Sequence, residues 1–219
     1  MKSIIQSSRN LSNRFHDRLY QTFYGQIPRP TILKVKELFG DKPLIGAEIG
    51  VYLADNSLSI LRNLNIDKLY LIDPFEECSK NGYYGKNYNI SKYKLREYTA
   101  QTVFIKEKSC ECLNKIPMLD FCYIDGSHEY LDVFMDLSFY WNKIKPGGII
   151  GGHDIISGGV EGFGVIQAVT EFTVQNKLEL YIEPPDWFII KEVLRASNSG
   201  CCKRVCVCPV QETAFSAVW

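Results

Sequence analysis

The amino-acid sequence predicts an α/β fold in which a mostly parallel sheet of seven strands is covered by helices on both faces. From Pro43 onward, short apolar runs alternate with segments of helical periodicity, which is the pattern of strand–helix–strand units. Several of these runs end abruptly in acidic or histidine residues. The last two runs are joined through Pro184 and Pro185, and this link is too short for a crossover helix. We therefore predict an antiparallel last strand.

The individual elements follow from this alternation in chain order. Strands are predicted at residues 44–49, 69–72, 103–105, 119–124, 149–150, 178–182 and 187–190. Helices are predicted at residues 57–64, 91–100, 110–115, 130–141 and 165–172, where apolar residues recur at helical intervals. The tyrosine-rich segment 78–94 and the glycine-rich segment 158–164 are predicted loops. Each is either a lid over a ligand or a plain surface connection.

A helical N-terminal arm is predicted for residues 1–40, ahead of the main domain at residues 41–192. Its first part carries one apolar stripe, formed by Leu11, Phe15, Leu19 and Phe23. A second short helix follows and ends at Gly40. The arm either packs on the core, packs on a second copy of the chain in a homodimer, or forms a wall of a substrate pocket.

Residues 193–219 are predicted to be a disordered, cysteine-containing tail. The tail holds Cys201, Cys202, Cys206 and Cys208. Their spacing does not match the paired cysteines of common zinc sites. The scattered cysteines of the main domain are expected to be small buried residues in a reducing compartment.

Composition restricts the class of protein. The 219 residues include 25 basic and 25 acidic side chains, so the formal net charge is zero. Nucleic-acid-binding proteins usually carry a basic excess, which disfavours a nucleic-acid partner. No apolar run reaches the length of a membrane span, and the N-terminus lacks the apolar core of a secretion signal. We therefore expect a cytoplasmic protein without a membrane partner.

A first group of candidate residues follows the first two strands and predicts a nucleotide-like ligand. Glu48 and Gly50 end the first strand, and Asp73 ends the second, 23 residues after Gly50. Glycine allows a ligand to approach the backbone closely, and an acid at this distance accepts hydrogen bonds from ribose hydroxyls. Alternatively, Asp73 is a turn residue before Pro74. The residues Asp55, Asn56 and Ser57 offer N-caps for the next helix.

Four segments of the chain resemble successive motifs of class I S-adenosylmethionine-dependent methyltransferases: residues 48–50, 71–73, 124–130 and 146–148. The resemblance covers residues 43–191 and is strongest to small-molecule O-methyltransferases of the macrolide sugar type. It implies a Rossmann-like sheet and S-adenosylmethionine as cofactor. It also implies that Glu48 and Gly50 contact the methionine part, that Asp73 contacts the ribose, and that the turn at Ser109 lies near the adenine. One departure is Ala54, where the family commonly has a second glycine.

A second group of residues, Asp125, His128, His153 and Asp154, follows the fourth and fifth strands and predicts acid–base or metal chemistry. Asp125 and Asp154 lie 29 residues apart on strands that should be neighbours, so both carboxylates can reach one hard cation such as Mg²⁺. The resemblance implies Asp125 and Asp154 as metal ligands and His128 as the catalytic base. His153 stands where the subgroup has an acid, and a histidine ligand suits manganese, iron or zinc better than magnesium.

These residues also have simpler interpretations. In these interpretations, Asp125 would contact the cofactor amino group or cap the helix that begins near Glu129. His128 would be a capping or packing residue, and Asp154 would cap the glycine-rich turn. Three such residues at adjacent strand ends favour chemistry over coincidence.

The leading hypothesis is therefore an S-adenosylmethionine-dependent enzyme that methylates a hydroxyl of a small molecule, with Asp125 and His128 as catalytic residues and with or without a divalent cation. The alternative is a non-catalytic cofactor-binding protein of the same fold. A nucleic-acid methyltransferase is disfavoured, because the Asp/Asn-Pro-Pro-aromatic motif of base amino methylation is missing after the fourth strand. Different chemistry on the same scaffold is a further class that fold analogy leaves open.

Overall fold

The computed structural model describes residues 28–75, 86–155 and 163–193. The predicted apolar stripe of the N-terminal arm, part of the tyrosine-rich loop, most of the glycine-rich loop and the cysteine-containing tail lie outside the described residues. The helices are α1 (Pro30–Phe39), α2 (Asp55–Asn63), α3 (Asn87–Lys94), α4 (Tyr130–Trp141) and α5 (Phe163–Asn176). The strands are β1 (Leu44–Ile49), β2 (Ile66–Ile72), β3 (Thr102–Ile105), β4 (Leu119–Ile124), β5 (Ile144–Gly152), β6 (Tyr181–Glu183) and β7 (Asp186–Ile190).

The strands form one seven-stranded sheet in the order β3-β2-β1-β4-β5-β7-β6. Strands β1 to β5 pair in parallel, and β7 pairs antiparallel with both β5 and β6. The predicted fold class, with its antiparallel last strand, is confirmed. The strand order reverses between β1 and β4, and in open α/β sheets ligands bind beyond the carboxyl ends of the strands at this point.

The central strands, such as β1, β4 and β7, are buried on both faces, which explains why they read as nearly continuous apolar runs. On one face, α4 and α5 pack Val133, Leu137 and Phe172 into a cluster with Ile150 of β5. On the other face, α1 and α2 contribute residues such as Ile32 to a cluster that includes strand residues of β2 and β4. Full burial of one such side chain stabilises the fold by roughly 1.5–3 kcal/mol, so both helical layers hold the sheet in place.

Helix α1 ends where the sequence predicts, because Gly40 adopts φ +59° and donates its amide to the carbonyl of Lys36. Other boundaries differ. The predicted helix 91–100 is α3 followed by a 3₁₀ turn at Arg96–Tyr98, and the predicted helix 110–115 is a 3₁₀ turn at Leu113–Lys115. Strand β5 is longer than predicted, since Pro146, Gly147 and Gly148 suggest a turn but lie within the strand. No helix in the described part of the chain is long and apolar enough to cross a bilayer.

Candidate active site

The carboxyl edge of the sheet gathers the predicted site residues around one cavity. Main-chain hydrogen bonds continue past the strand ends, from Gly50 to Ile72, from Asp73 to Ile105, from Asp125 to Ile49 and from His153 to Ile124. A cavity of about 1120 Å³ opens at this edge, and Glu48, Gly50, Asp73, Ser109, Asp125, His128 and His153 line it. Small-molecule sites commonly enclose about 300–1,000 Å³, so this cavity has room for two small ligands together.

Glu48 is a buried carboxylate at the floor of the cavity. Asn56 donates its side-chain amide to Glu48 Oε1 over 2.9 Å, and the hydroxyl of Ser57 donates to Glu48 Oε2. Burial raises the pKa of Glu48 to about 7, against the opposing effect of the Ser57 hydrogen bond. Asn56 and Ser57 were predicted as N-caps, and this prediction is wrong: the cap position of α2 is Ala54, without a side-chain cap.

Two buried polar atoms of α2 lack a hydrogen-bond partner within the described part of the chain. They are Asn56 Oδ1 and Ser59 Oγ, and both residues line the cavity. A buried polar group without a partner costs about 1–3 kcal/mol. A bound group that donates hydrogen bonds, such as the charged amino group of an amino acid, would satisfy the amide oxygen. These residues therefore fit the methionine part of the implied cofactor.

Gly50 is required by the packing of the chain. It adopts φ +83°, and a Cβ atom there would lie 2.1 Å from the carbonyl oxygen of Asp125. The backbone of the β4 loop occupies the space that a side chain would need. Glycine thus brings the loop after β1 directly against Asp125.

The loop between β1 and α2 is held by Asp73. Its Oδ2 accepts the amides of Val51 and Tyr52, each over 2.9 Å, and its Oδ1 accepts the amide of Phe75 over 2.7 Å. Asp73 is therefore a turn residue and also faces the cavity, so the two interpretations are compatible. Ala54, in the same loop, adopts φ +59°, a conformation that suits the glycine of the related family better than alanine.

Ser109 reaches the cavity together with Asp136, a residue that sequence analysis missed. The hydroxyl of Ser109 donates to Asp136 Oδ1, and Tyr140 donates its hydroxyl to the carbonyl of Ser109 over 3.0 Å. Burial raises the pKa of Asp136 to about 6, while the Ser109 hydrogen bond lowers it. Asp136 lies on α4, where its polar side chain suggests only a solvent-facing position.

Two carboxylates and an imidazole meet beyond the ends of β4 and β5. Ligand atoms of Asp125, His128 and Asp154 all lie within 4.8 Å of one another. His128 Nε2 is 2.8 Å from Asp154 Oδ2, and His153 Nδ1 is 2.9 Å from Asp154 Oδ1. His153 Nδ1 is 4.0 Å from Asp125 Oδ1. All four predicted residues are thus neighbours, but His128 rather than His153 completes the cluster.

This donor set fits a divalent cation. Carboxylate oxygens suit magnesium and manganese, and an imidazole nitrogen shifts the preference toward manganese, iron or zinc. Burial raises the pKa of Asp125 to about 8, an effect that nearby Arg29 opposes and that Glu48 and Asp154 reinforce. Like charges this close repel one another, and a cation between the carboxylates would relieve that repulsion.

A second residue that sequence analysis missed is Arg29, immediately before α1. Its guanidinium lies 3.7 Å from Asp125 Oδ2 and 3.9 Å from Asp186 Oδ1. Asp186 is fully buried and accepts hydrogen bonds from the Thr31 amide and the Tyr123 hydroxyl, each over 3.1 Å. The only available signal was the position of Arg29 between Pro28 and Pro30, which does not indicate contact with β4 or β7.

Comparisons with known proteins agree with this geometry. Residues 47–155 match the sequence model of a family described as a methyltransferase domain. A search of curated proteins finds no match to the chain.

Several solved structures share the fold at low identity. A putative caffeoyl-CoA O-methyltransferase from Staphylococcus aureus is 15% identical, with a TM-score of 0.58 over 87% of this chain and 98% of that one. The O-methyltransferase NovP is 16% identical, with a TM-score of 0.55 over 74% and 80% of the two chains. An O-methyltransferase from Bacillus cereus, solved in complex with SAH, is 13% identical, with a TM-score of 0.53 over 76% and 83%. The family match over residues 47–155 and the seven-stranded sheet with its antiparallel β7 together indicate a methyltransferase domain with a Rossmann-like fold in this part of the chain.

Proposed function

We propose that this protein transfers a methyl group from S-adenosylmethionine to a hydroxyl of a small molecule, with help from a divalent cation. The observation that carries the proposal is the cluster of Asp125, His128 and Asp154, of which Asp125 and His128 line the cavity. Methyl transfer to an alcohol needs a group that removes or weakens the hydroxyl proton. This cluster offers both a base and ligands for a cation.

The residues at the floor of the cavity would hold the cofactor. Glu48, Asn56 and Ser59 offer acceptors to the methionine amino group, and Asp73 offers the one lone pair that its three backbone amides leave open to a ribose hydroxyl. Ser109 and Asp136 also line the cavity and offer acceptors to the adenine amino group. When bound, the cofactor supplies an activated methyl group on a sulfonium.

His128 has two mutually exclusive uses for its nitrogen atoms. In the first, Nε2–H donates to Asp154, which orients the ring and leaves the Nδ1 lone pair to accept the substrate proton. In the second, Nε2 ligates the cation beside Asp125 and Asp154, and the cation lowers the pKa of the bound hydroxyl. We favour the first, because the hydrogen bond with Asp154 is already formed over 2.8 Å.

The remaining wall of the cavity would bind the acceptor. Pro28, Pro30 and Leu33 contribute from α1 and the segment before it, and Pro185 contributes from the turn between β6 and β7. Leu33 is half exposed and is one apolar contact for a ligand. A largely apolar wall beside a few polar groups is typical of a small-molecule site.

The test is methyl transfer from S-adenosyl-[methyl-³H]methionine to a panel of sugars, catechols and polyketide alcohols, with EDTA, Mg²⁺ or Mn²⁺. We expect transfer to at least one acceptor. His128→Ala should lower turnover by about 10²–10⁴-fold, the usual contribution of a general base, with little change in SAH affinity by calorimetry. Glu129→Gln, a change at an exposed neighbour, is the matched control. Loss of Mn²⁺ binding in His128→Ala would instead assign His128 to the cation, and unchanged turnover would remove it from the mechanism.

A second candidate function is binding of the cofactor without catalysis. One observation favours it: Ala54 holds a left-handed conformation in the cofactor loop, and such strain costs roughly 1–2 kcal/mol. SAH binding without methyl transfer to any acceptor in the panel would support this candidate and contradict the enzymatic one.

A further inference from the structure

Arg29, in the segment before α1, contacts residues at the carboxyl edge of the sheet. It precedes the region that matches the methyltransferase family, which begins at residue 47. Its guanidinium nevertheless lines the cavity and lies between Asp125 of the β4 loop and Asp186 of β7. It also lies over the ring of Tyr123, 5.9 Å from the centroid. A residue outside the family region therefore places a permanent positive charge beside a proposed metal ligand.

Neither contact of Arg29 with the two carboxylates is a hydrogen bond. The nitrogen–oxygen distances of 3.7 and 3.9 Å exceed the usual 2.7–3.2 Å of an N–H···O bond. The guanidinium is thus shared between Asp125 and Asp186 without a directional bond to either. A small shift toward Asp186 would release Asp125 while the guanidinium kept one partner.

The carboxylate of Asp186 is held in place and would remain the partner of Arg29 after such a shift. It is fully buried, and the Thr31 amide and the Tyr123 hydroxyl hold its two oxygens in place. An isolated buried carboxylate is costly, so Arg29 remains near Asp186 whatever happens at Asp125.

Asp125 faces a second set of partners on its other side. Its carboxylate belongs to the cluster with His128 and Asp154, whose ligand atoms lie within 4.8 Å of one another. A divalent cation held by the carboxylates of Asp125 and Asp154 would therefore share the Asp125 carboxylate with the guanidinium of Arg29. Two positive groups on one carboxylate repel each other, and the repulsion is strong in a partly buried site.

We propose that Arg29 is a positioning residue that attracts Asp125 and sets the divalent-cation affinity of the Asp125 and Asp154 carboxylates to a low, exchangeable level. This inference rests on the proposed function, because it concerns the cation of that same site. The guanidinium keeps the Asp125 carboxylate close by charge attraction before the cation binds and then opposes tight binding by charge repulsion. The cation is consequently held weakly enough to exchange with solution.

The experiment is titration of the purified full chain with Mn²⁺, monitored by electron paramagnetic resonance of the free ion and by calorimetry. Arg29→Gln removes the charge and should bind Mn²⁺ at least about tenfold more tightly than the unaltered protein, a change expected from one nearby charge at an effective dielectric constant of about 20. Arg29→Lys keeps the charge and should restore an affinity within about threefold of the unaltered protein. Lys34→Gln removes a charge that pairs with Glu37 on α1 and is the matched control, with unchanged affinity.

Arg29→Met serves as a second variant, because its long apolar side chain retains contact with the Tyr123 ring. A thermal shift with SAH verifies that each variant is folded. Equal or weaker Mn²⁺ binding by folded Arg29→Gln or Arg29→Met, compared with the unaltered protein, overturns the inference while leaving the cation site intact. Mn²⁺ binding by none of the proteins overturns both the inference and the cation in the proposed function.

Discussion

Replacement of Gly50 by alanine tests whether the loop after β1 must lie directly against the backbone of Asp125. The backbone at position 50 has φ +83°, and a Cβ atom would lie 2.1 Å from the Asp125 carbonyl oxygen and 2.4 Å from its carbon. The left-handed conformation alone costs roughly 1–2 kcal/mol for a residue with a Cβ atom. Relief of the clash requires a backbone shift that adds roughly 1–3 kcal/mol. We therefore expect Gly50→Ala to lower the free energy of unfolding by about 3 kcal/mol.

Gly126 provides a matched control for this substitution. A Cβ atom at position 126 would meet Ile49 Cγ2 at 3.5 Å, an ordinary contact, and the residue has no positive φ. Gly126→Ala should therefore change the free energy of unfolding by less than about 1 kcal/mol. Urea denaturation measures both values, and SAH calorimetry should show weaker binding for Gly50→Ala because Asp125 is displaced. Equal stabilities of the two variants would refute the conclusion that Gly50 is required by close backbone packing.

Two further predictions concern the acidic residues of the cavity. Asp73→Asn should lower the free energy of unfolding by about 1–3 kcal/mol, because one carboxamide oxygen cannot accept the amides of Val51, Tyr52 and Phe75 as two carboxylate oxygens do. It should also weaken SAH binding at least about tenfold by calorimetry, and unchanged affinity would exclude Asp73 from the ribose site. Glu48, with its pKa raised to about 7, contributes stability that is fully present below its unfolded pKa and is lost as pH rises toward 7. The stability of the unaltered protein relative to Glu48→Gln, measured by urea denaturation, should therefore fall by about 2 kcal/mol between pH 5.5 and pH 8; a constant difference would contradict the raised pKa.

The fold was largely predictable because its signals are local. The central strands are buried on both faces and so read as apolar runs, and the link through Pro184 and Pro185 restricts β6 and β7 to antiparallel pairing. The boundaries were less predictable where local signals conflict with tertiary context. Pro146 and Gly147 favour a turn, yet both lie within β5, where the β4–β5 register shifts and the Gly147 amide donates to the carbonyl of Lys191.

The candidate site was predictable only for residues that directly follow strands. Asp73 and Asp125 occupy such positions, and the sheet brings them to one edge. Arg29, Asp136 and Asp186 were missed, because their significance depends on contacts between residues far apart in the chain. Asp186 in particular resembles a surface turn residue beside Pro185 but is fully buried under α1.

Ser109 and Gly50 show an intermediate case. Both were predicted to lie near the cofactor, and both line the cavity. The structure adds contacts that the sequence does not show: Ser109 is tied to Asp136 through its hydroxyl, and Gly50 is held against the backbone of Asp125. The motif thus led to two residues that line the cavity, whereas these contacts required the packed structure.

The most direct test of the central claim is a crystal structure of the protein grown with SAH and Mn²⁺. We predict SAH in the cavity, with a ribose hydroxyl on Asp73 and its amino group near Glu48, and an anomalous manganese peak between Asp125 and Asp154, beside His128. SAH bound with its ribose away from Asp73, or a manganese peak elsewhere while these three side chains stay as they are, would contradict the account.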